Sequence, residues 1–158
     1  MTLERSLKTS RITAGLSEQQ LAELALLARK VEFQEDQIIL LTGQRSTHFY
    51  LVLAGSVCVE VRTPVYNVRV QVLGPGEAFG WSSFLGHHDT LFQVRAREAS
   101  TAACWDAPEI SAVCRESPEF GVDFFHRLLE LVAGRVQATE SKLAEFCGAH
   151  CPTPKQRS

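Results

Sequence analysis

Three short groupings in this sequence carry side chains that could bind or react. The first is Gly80-Trp81-Ser82-Ser83, inside the stretch 74–96, GPGEAFGWSSFLGHHDTLFQVRA. That stretch reads as strand, tight turn, one short helix, loop and strand. A short helix after a glycine offers free backbone N–H groups to an anion. The hydroxyls of Ser82 and Ser83 add donors, and Arg95 and Arg45 could supply positive charge. Trp81 reads as core or lid, with a wall of an apolar pocket as the other reading. The second grouping is His87-His88-Asp89. Two imidazoles and a carboxylate on a loop could bind a metal or sense pH. Adjacent residues seldom converge on one ion, so a solvated loop is the stronger reading. The third is Cys147 and Cys151 with His150, three soft groups near the C-terminus. They could catch a metal or react as thiols, but no second pair at finger-like spacing accompanies them. An exposed tail is the preferred reading.

Catalytic patterns are missing from the sequence. There is no Gly-x-Ser-x-Gly elbow and no His-Glu-x-x-His helix. Gly76-x-x-x-Gly80 lacks the lysine and the hydroxyl residue of a phosphate loop. The five histidines do not give the His-x-His spacing of a cupin metal site, which leaves a cupin-like metalloenzyme as a third reading. No metal and no cofactor is expected; His87, His88 and Cys58 are where a haem would be sought, and nothing isolates such a site.

The chain has 158 residues, enough for one domain with a real core. Apolar residues make up 45% and charged residues 22%, as in an ordinary globular protein. A formal net charge of −2 gives no basic excess of the kind that marks a nucleic-acid surface. No apolar run is long enough to span a bilayer and no signal peptide is evident, so a cytoplasmic location without membrane contact is expected. Five scattered cysteines do not form a disulfide framework, and Cys58 and Cys104 read as buried thiols within strands.

Several elements must position these groups. Residues 1–16 read as an N-terminal arm, either a short helix or mobile. Ser17 and Gln20 predict a capping box for a helix over about 18–29. From Val31 the period falls to two. Strands are expected at Val31–Phe33, Ile38–Leu41, Phe49–Leu53, Ser56–Val61, Asn67–Leu73, Phe92–Arg97 and Thr101–Trp105, with Val68, Val70 and Val72 on one face. Short strands between glycine turns predict a closed or rolled antiparallel sheet. Asp106 and Glu109 suggest another capping box, for a helix to about Arg115. A last helix over 118–146 would be about 43 Å long at 1.5 Å per residue. Along it Phe125, Leu129, Val132, Val136, Thr139, Leu143 and Phe146 step alternately by four and three, a heptad seam. A second row, Phe124, Leu128 and Leu131, widens the apolar face towards the sheet. This predicts a parallel homodimer with Phe125, Leu129, Val132, Val136 and Leu143 at the interface, and Gly134 letting two helices approach. The alternative is a long helix folded back over its own domain. Residues 147–158 read as a polar tail.

Helix, glycine-punctuated β-roll, small helix within the roll and long seam helix resemble the effector domain of the catabolite activator (Crp/Fnr-like) family, the cyclic nucleotide-binding domain. The resemblance is carried by Gly43, by HFYLVLAGSV at 48–57, by GPGEAFG at 74–80 and by Val94 and Ala96. It implies a mainly β fold with flanking helices, a double-stranded β-helix (jelly roll), and a phosphate-binding cassette at residues 74–96. In that family a glutamate after Phe-Gly holds the ribose 2′-hydroxyl and an arginine pairs with the cyclic phosphate. Here Trp81 stands in the glutamate's place, and Asp89 and Thr90 stand where the family has Pro-Arg. Threonine is a poor substitute for a bidentate arginine, and an aspartate would repel phosphate. Both departures speak against cAMP as the ligand. The ligand-binding candidates are therefore Gly80, Trp81, Ser82, Ser83, Thr90 and Arg95, for a cyclic-nucleotide-like or other small anion.

Family transcription factors continue into a helix-turn-helix domain. Only twelve residues follow Phe146 here, so direct DNA binding is not expected. The functional expectation is a stand-alone regulatory or sensory domain over 17–146, not an enzyme, that binds a small ligand and signals through a helix-mediated dimer. The alternative is a degenerate domain that has lost nucleotide binding and acts through a regulatory protein partner.

Overall fold

The computed structural model describes residues 3–86 and 92–150, and side chains as far as 148. Loop residues His87, His88, Asp89 and Thr90 lie outside the described residues, as does Cys151. Among the described residues, eight strands form two four-stranded sheets in which every pairing is antiparallel. One sheet has the order β1 (Arg29–Phe33), β8 (Ser100–Asp106), β3 (His48–Ala54), β6 (Ala78–Phe79). The other has the order β2 (Ile38–Leu40), β7 (Phe92–Ala96), β4 (Val57–Arg62), β5 (Asn67–Leu73). Four helices flank them: α1 (Leu3–Thr9), α2 (Glu18–Leu27), α3 (Ala107–Glu116) and α4 (Pro118–His150). No described helix is long and apolar enough to cross a membrane.

Local chemistry explains most of the boundaries. Ser17 Oγ accepts the Gln20 N–H while Gln20 Oε1 accepts the Ser17 N–H, the reciprocal capping box that starts α2. Gly55 turns β3 into β4 at φ 84°, and a Cβ there would lie 2.7 Å from the Ala99 carbonyl oxygen. At the start of α3 the expected box does not form. Asp106 makes no side-chain cap; its Oδ1 instead pairs with His48 Nε2 at 2.8 Å and Arg29 Nη2 at 3.2 Å. Side-chain partners from neighbouring strands outcompete the local N–H groups.

The aliphatic side chains of β4, β5 and β7 pack with Val52 and Phe79 between the two sheets. A larger core joins the outer side of β3 and β8 to the helices, centred on Phe49, Trp105, Phe120 and Phe124. Trp105 Nε1 donates to the Leu24 carbonyl and ties α2 to β8. The N-terminal segment belongs to this core: α1 is a helix, and Leu7 and Ile12 are buried. Cys58, Cys104 and Cys114 are buried free thiols and Cys147 is exposed.

Two expectations fail for geometric reasons. Val59 pairs with Gln71 but Glu60 pairs with Arg69, so Val70 is an extra residue, a β-bulge. The bulge shifts the alternation, and Val72 is left exposed while Leu73 is buried. Val68, Val70 and Val72 therefore do not share a face. The last helix also passes through Cys147-Gly148 and reaches His150.

Candidate functional site

Gly80 sets the cassette. It closes β6 at φ 92°, and a Cβ would meet the His48 carbonyl oxygen at 2.7 Å, so only glycine fits without displacing β3. Residues Trp81–Phe84 then form a single 3-10 turn. Ser83 is spent on that turn: its N–H and its hydroxyl both donate to the Gly80 carbonyl, at 3.1 and 2.6 Å. Phe84 packs edge-on against Phe49, Phe124 and Phe125, joining the turn to α4.

Gly80, Trp81 and Ser82 line a cavity of about 30 Å³ together with Phe92 and Val94 of β7. Leu40, Leu41 and Val59 add apolar wall, Gln44 and Ser46 add polar wall, and Arg135 reaches the cavity from α4. Arg135 as a residue is buried, with 5% of its surface exposed. Among the described residues its only hydrogen bond runs from Nε to Gln71 Oε1, at 2.8 Å, and it makes no ion pair. Burial pulls its pKa down to about 10, opposed by the Glu77 carboxylate. Buried charges are normally paired. Here a cation faces the cassette with a neutral amide as its hydrogen-bond partner and the Glu77 carboxylate acting on it without an ion-pair contact.

Arg95 is not brought to this cavity. It lies on the other face of β7, where its Nε donates to Glu60 Oε1 at 3.0 Å and its Nη1 to the Asp36 carbonyl at 3.2 Å. Gln93 shares that carboxylate through Nε2 at 2.6 Å, and its own Oε1 is buried without a partner. Arg45 stands beside Gly86, where a Cβ would be 3.8 Å from its Nη2. Thr90, His87, His88 and Asp89 are outside the described residues. Among the described residues no group of three His, Cys, Asp or Glu is placed to hold a metal.

Arg135 escaped the sequence reading, although a signal was present. It is the next member of the row Phe124, Leu128, Leu131, the face that points at the sheets. The seam residues Phe125, Leu129, Val136 and Leu143 are exposed, Leu129 at 66%, and Val132 is half-buried. Gly134 is not on that seam. At about 100° per residue it lies roughly 140–160° around the axis from Leu129, Val132 and Val136.

The cassette, the two sheets and the long helix agree with the comparison to known proteins. The family profile described as the cyclic nucleotide-binding domain matches residues 30–117, more than half of the chain. The chain belongs to the cyclic nucleotide-binding domain family. Solved structures of this fold are similar to it. A cyclic nucleotide-binding domain from Methylobacillus flagellatus superposes with a TM-score of 0.77 at 17% identity, covering 90% of this chain and 82% of that one. The catabolite activator protein of Thermus thermophilus gives 0.72 at 22% identity, covering 87% of this chain and 63% of that longer protein. The regulatory domain of Toxoplasma gondii PKA, solved with cAMP, gives 0.64 at 23% identity, covering 70% of this chain and 42% of that one. No curated protein matches the sequence. In this cyclic nucleotide-binding domain Trp81 and a cation from the long helix both line the cassette cavity.

Proposed function

We propose that this chain is a regulatory domain in which a small anion, held at the cassette by Arg135 and by the polar groups of Gly80–Ser82, biases the long helix and its dimer. One observation carries the reading: Arg135 belongs to α4 and to the cassette wall at once. An anion drawn to that guanidinium acts directly on the helix that carries the exposed seam. Phe84, packed on Phe124 and Phe125, supplies a second mechanical link. Such a coupling requires only that the anion bind better to one helix position than to another. The seam Phe125, Leu129, Val132, Val136 and Leu143 provides the homodimer contact of this reading, with a jelly-roll β-domain in each protomer.

Size argues about the ligand. Pockets for drug-sized molecules run from roughly 300 Å³ upward, and about 30 Å³ holds little more than a water. A cyclic nucleotide would have to displace Trp81, so cAMP is not the expected ligand. The same observation favours a second reading, a domain that has lost nucleotide binding and acts through a protein partner.

Thermal stability and sedimentation of the full chain, with inorganic phosphate, cAMP and cGMP as probes, test the first reading. Phosphate is expected to raise the Tm and shift the dimer fraction in the wild type, and to do neither in Arg135→Gln or in Ser82→Leu. No response to any probe in either measurement would leave the protein-contact reading standing.

A further inference from the structure

A second concavity lies on the other side of Arg135. It measures about 460 Å³, the size of a metabolite site where the cassette cavity is not. Its walls come from three parts of the chain: the N-terminal segment through Arg11 and Ile12, the turn 75–77 between β5 and β6, and α4 through Arg127, Gly134 and Arg135.

The walls are held in place. Ser10 Oγ donates to the Gly76 carbonyl at 2.8 Å, and Arg127 Nε donates to the Ala14 carbonyl at 2.8 Å. These bonds pin the N-terminal segment to the turn on one side and to α4 on the other. Gly134 then has a reason to be glycine. A Cβ there would meet nothing within 4 Å, so no packing within the protomer requires its absence. A larger side chain would instead project into the groove.

The charges select the occupant. Arg135 is a buried cation that makes no ion pair among the described residues, although the Glu77 carboxylate is near enough to act on it. Arg11 is exposed, and its side chain makes no hydrogen bond or ion pair among the described residues. Arg127 already pairs with Glu130 at 3.1 Å, so it adds little unsatisfied charge. Glu77 also lines the groove, its Oε2 accepting the Gly74 N–H at 2.7 Å. Two guanidinium groups without an ion pair suit an oxyanion with several acceptor oxygens, and the neighbouring carboxylate suits a hydroxyl on the same molecule. The groove is also turned away from the exposed seam of α4, so a partner docked there would leave it open.

We infer that this groove between the N-terminal segment, the β5–β6 turn and α4 is a binding site for a small hydroxylated organic anion, with Arg135 and Arg11 as its charge partners. The anion is either a hydroxy-polycarboxylate or a phosphate ester, which share this oxyanion chemistry. The site is separate from the cassette and does not require it to be occupied.

Calorimetric titration of the full chain at near-physiological salt decides the matter, with citrate as the carboxylate probe and glycerol 3-phosphate as the phosphate probe. Saturable binding of one probe is expected, with one site per chain remaining in Ser82→Leu, and the probe that binds there identifies the anion class. Affinity should fall by about tenfold or more in Arg11→Gln, the loss of one charge-assisted contact, and in Gly134→Leu, which fills the groove. It should persist in Ser82→Leu, which fills the cassette cavity. Circular dichroism of each variant checks that it is folded. Binding of neither probe overturns the inference, and so does binding unaffected by Arg11→Gln and Gly134→Leu. Loss in Ser82→Leu alone moves the ligand to the cassette. Loss in all three folded variants means one site running past Arg135, which also overturns a separate groove.

Discussion

Arg135 Nε meets Gln71 Oε1 at 2.8 Å, and among the described residues this neutral amide is the only side-chain hydrogen-bond partner of a cation that is almost fully buried. The contact joins the middle of the long helix to an edge strand and sets the charge of both cavities. Its energetic position is unusual, because the cost of desolvating a guanidinium is normally offset by a carboxylate.

Replacing that cation with an apolar side chain of similar length should stabilise the empty protein. Arg135→Met is expected to raise the urea-unfolding free energy by roughly 1 kcal/mol while removing any anion-dependent gain. The sign with pH is fixed by the lowered pKa. Burial lowers the folded-state pKa of Arg135 to about 10, below the unfolded value. The penalty is therefore full at neutral pH and relaxes only above about pH 10, so the advantage of Arg135→Met should shrink there.

A single methyl group separates two roles for Gly134. With open space around its Cβ, Gly134→Ala should stabilise the protomer by about 1 kcal/mol through helix propensity and leave the dimer intact. A weaker dimer by sedimentation would put Gly134 back in a helix–helix contact.

The seam is tested by charge. Leu129→Asp or Val136→Asp places a carboxylate on an exposed position of α4, at 66% and 50% exposure. The protomer should keep its circular dichroism and the sedimenting species should be a monomer. A variant that stays dimeric refutes association through this face.

At Gly80 the backbone leaves no room. Gly80→Ala should destabilise the fold by at least about 1–3 kcal/mol from the left-handed conformation, with the clash against the His48 carbonyl added. Urea unfolding with an unchanged midpoint would contradict the geometry.

Alkaline pH should act through Cys114, whose thiol burial pushes up from 9.0 to about 11. The folded state holds the proton longer, so stability is complete below pH 9 and is lost as pH rises towards 11. Cys114→Ala should flatten that part of the stability profile, measured by urea unfolding from pH 8 to about 11.

Much of this architecture was readable from residue order because it depends on local rules. Ser17 and Gln20 announced α2, glycines marked the turns, and the steps from Phe125 to Phe146 announced a long helix with a second, buried row. The failures came where distant partners decide. Asp106 reads as a cap until His48 and Arg29 arrive from other strands. Arg95 reads as a ligand group until Glu60 claims it. Arg135 was passed over because a cation on a long helix is normally solvated, although the row Phe124, Leu128, Leu131 leads straight to it. Gly134 reads as a residue that lets two helices approach, while its angular position puts it on the side away from the seam.

The bulge at Val70 has a last consequence. A strand without it would carry Gln71 on the same side as Arg69, in water, and Arg135 would have no amide to meet. One additional residue in an edge strand reverses the parity of everything after it and so delivers Gln71 inward. The electrostatic character of this domain is thus written partly as a count of residues rather than as their kinds. A related chain with the same Gln and Arg but an even spacing in that strand would present a different interior, and matching side chains alone would transfer the site to it in error.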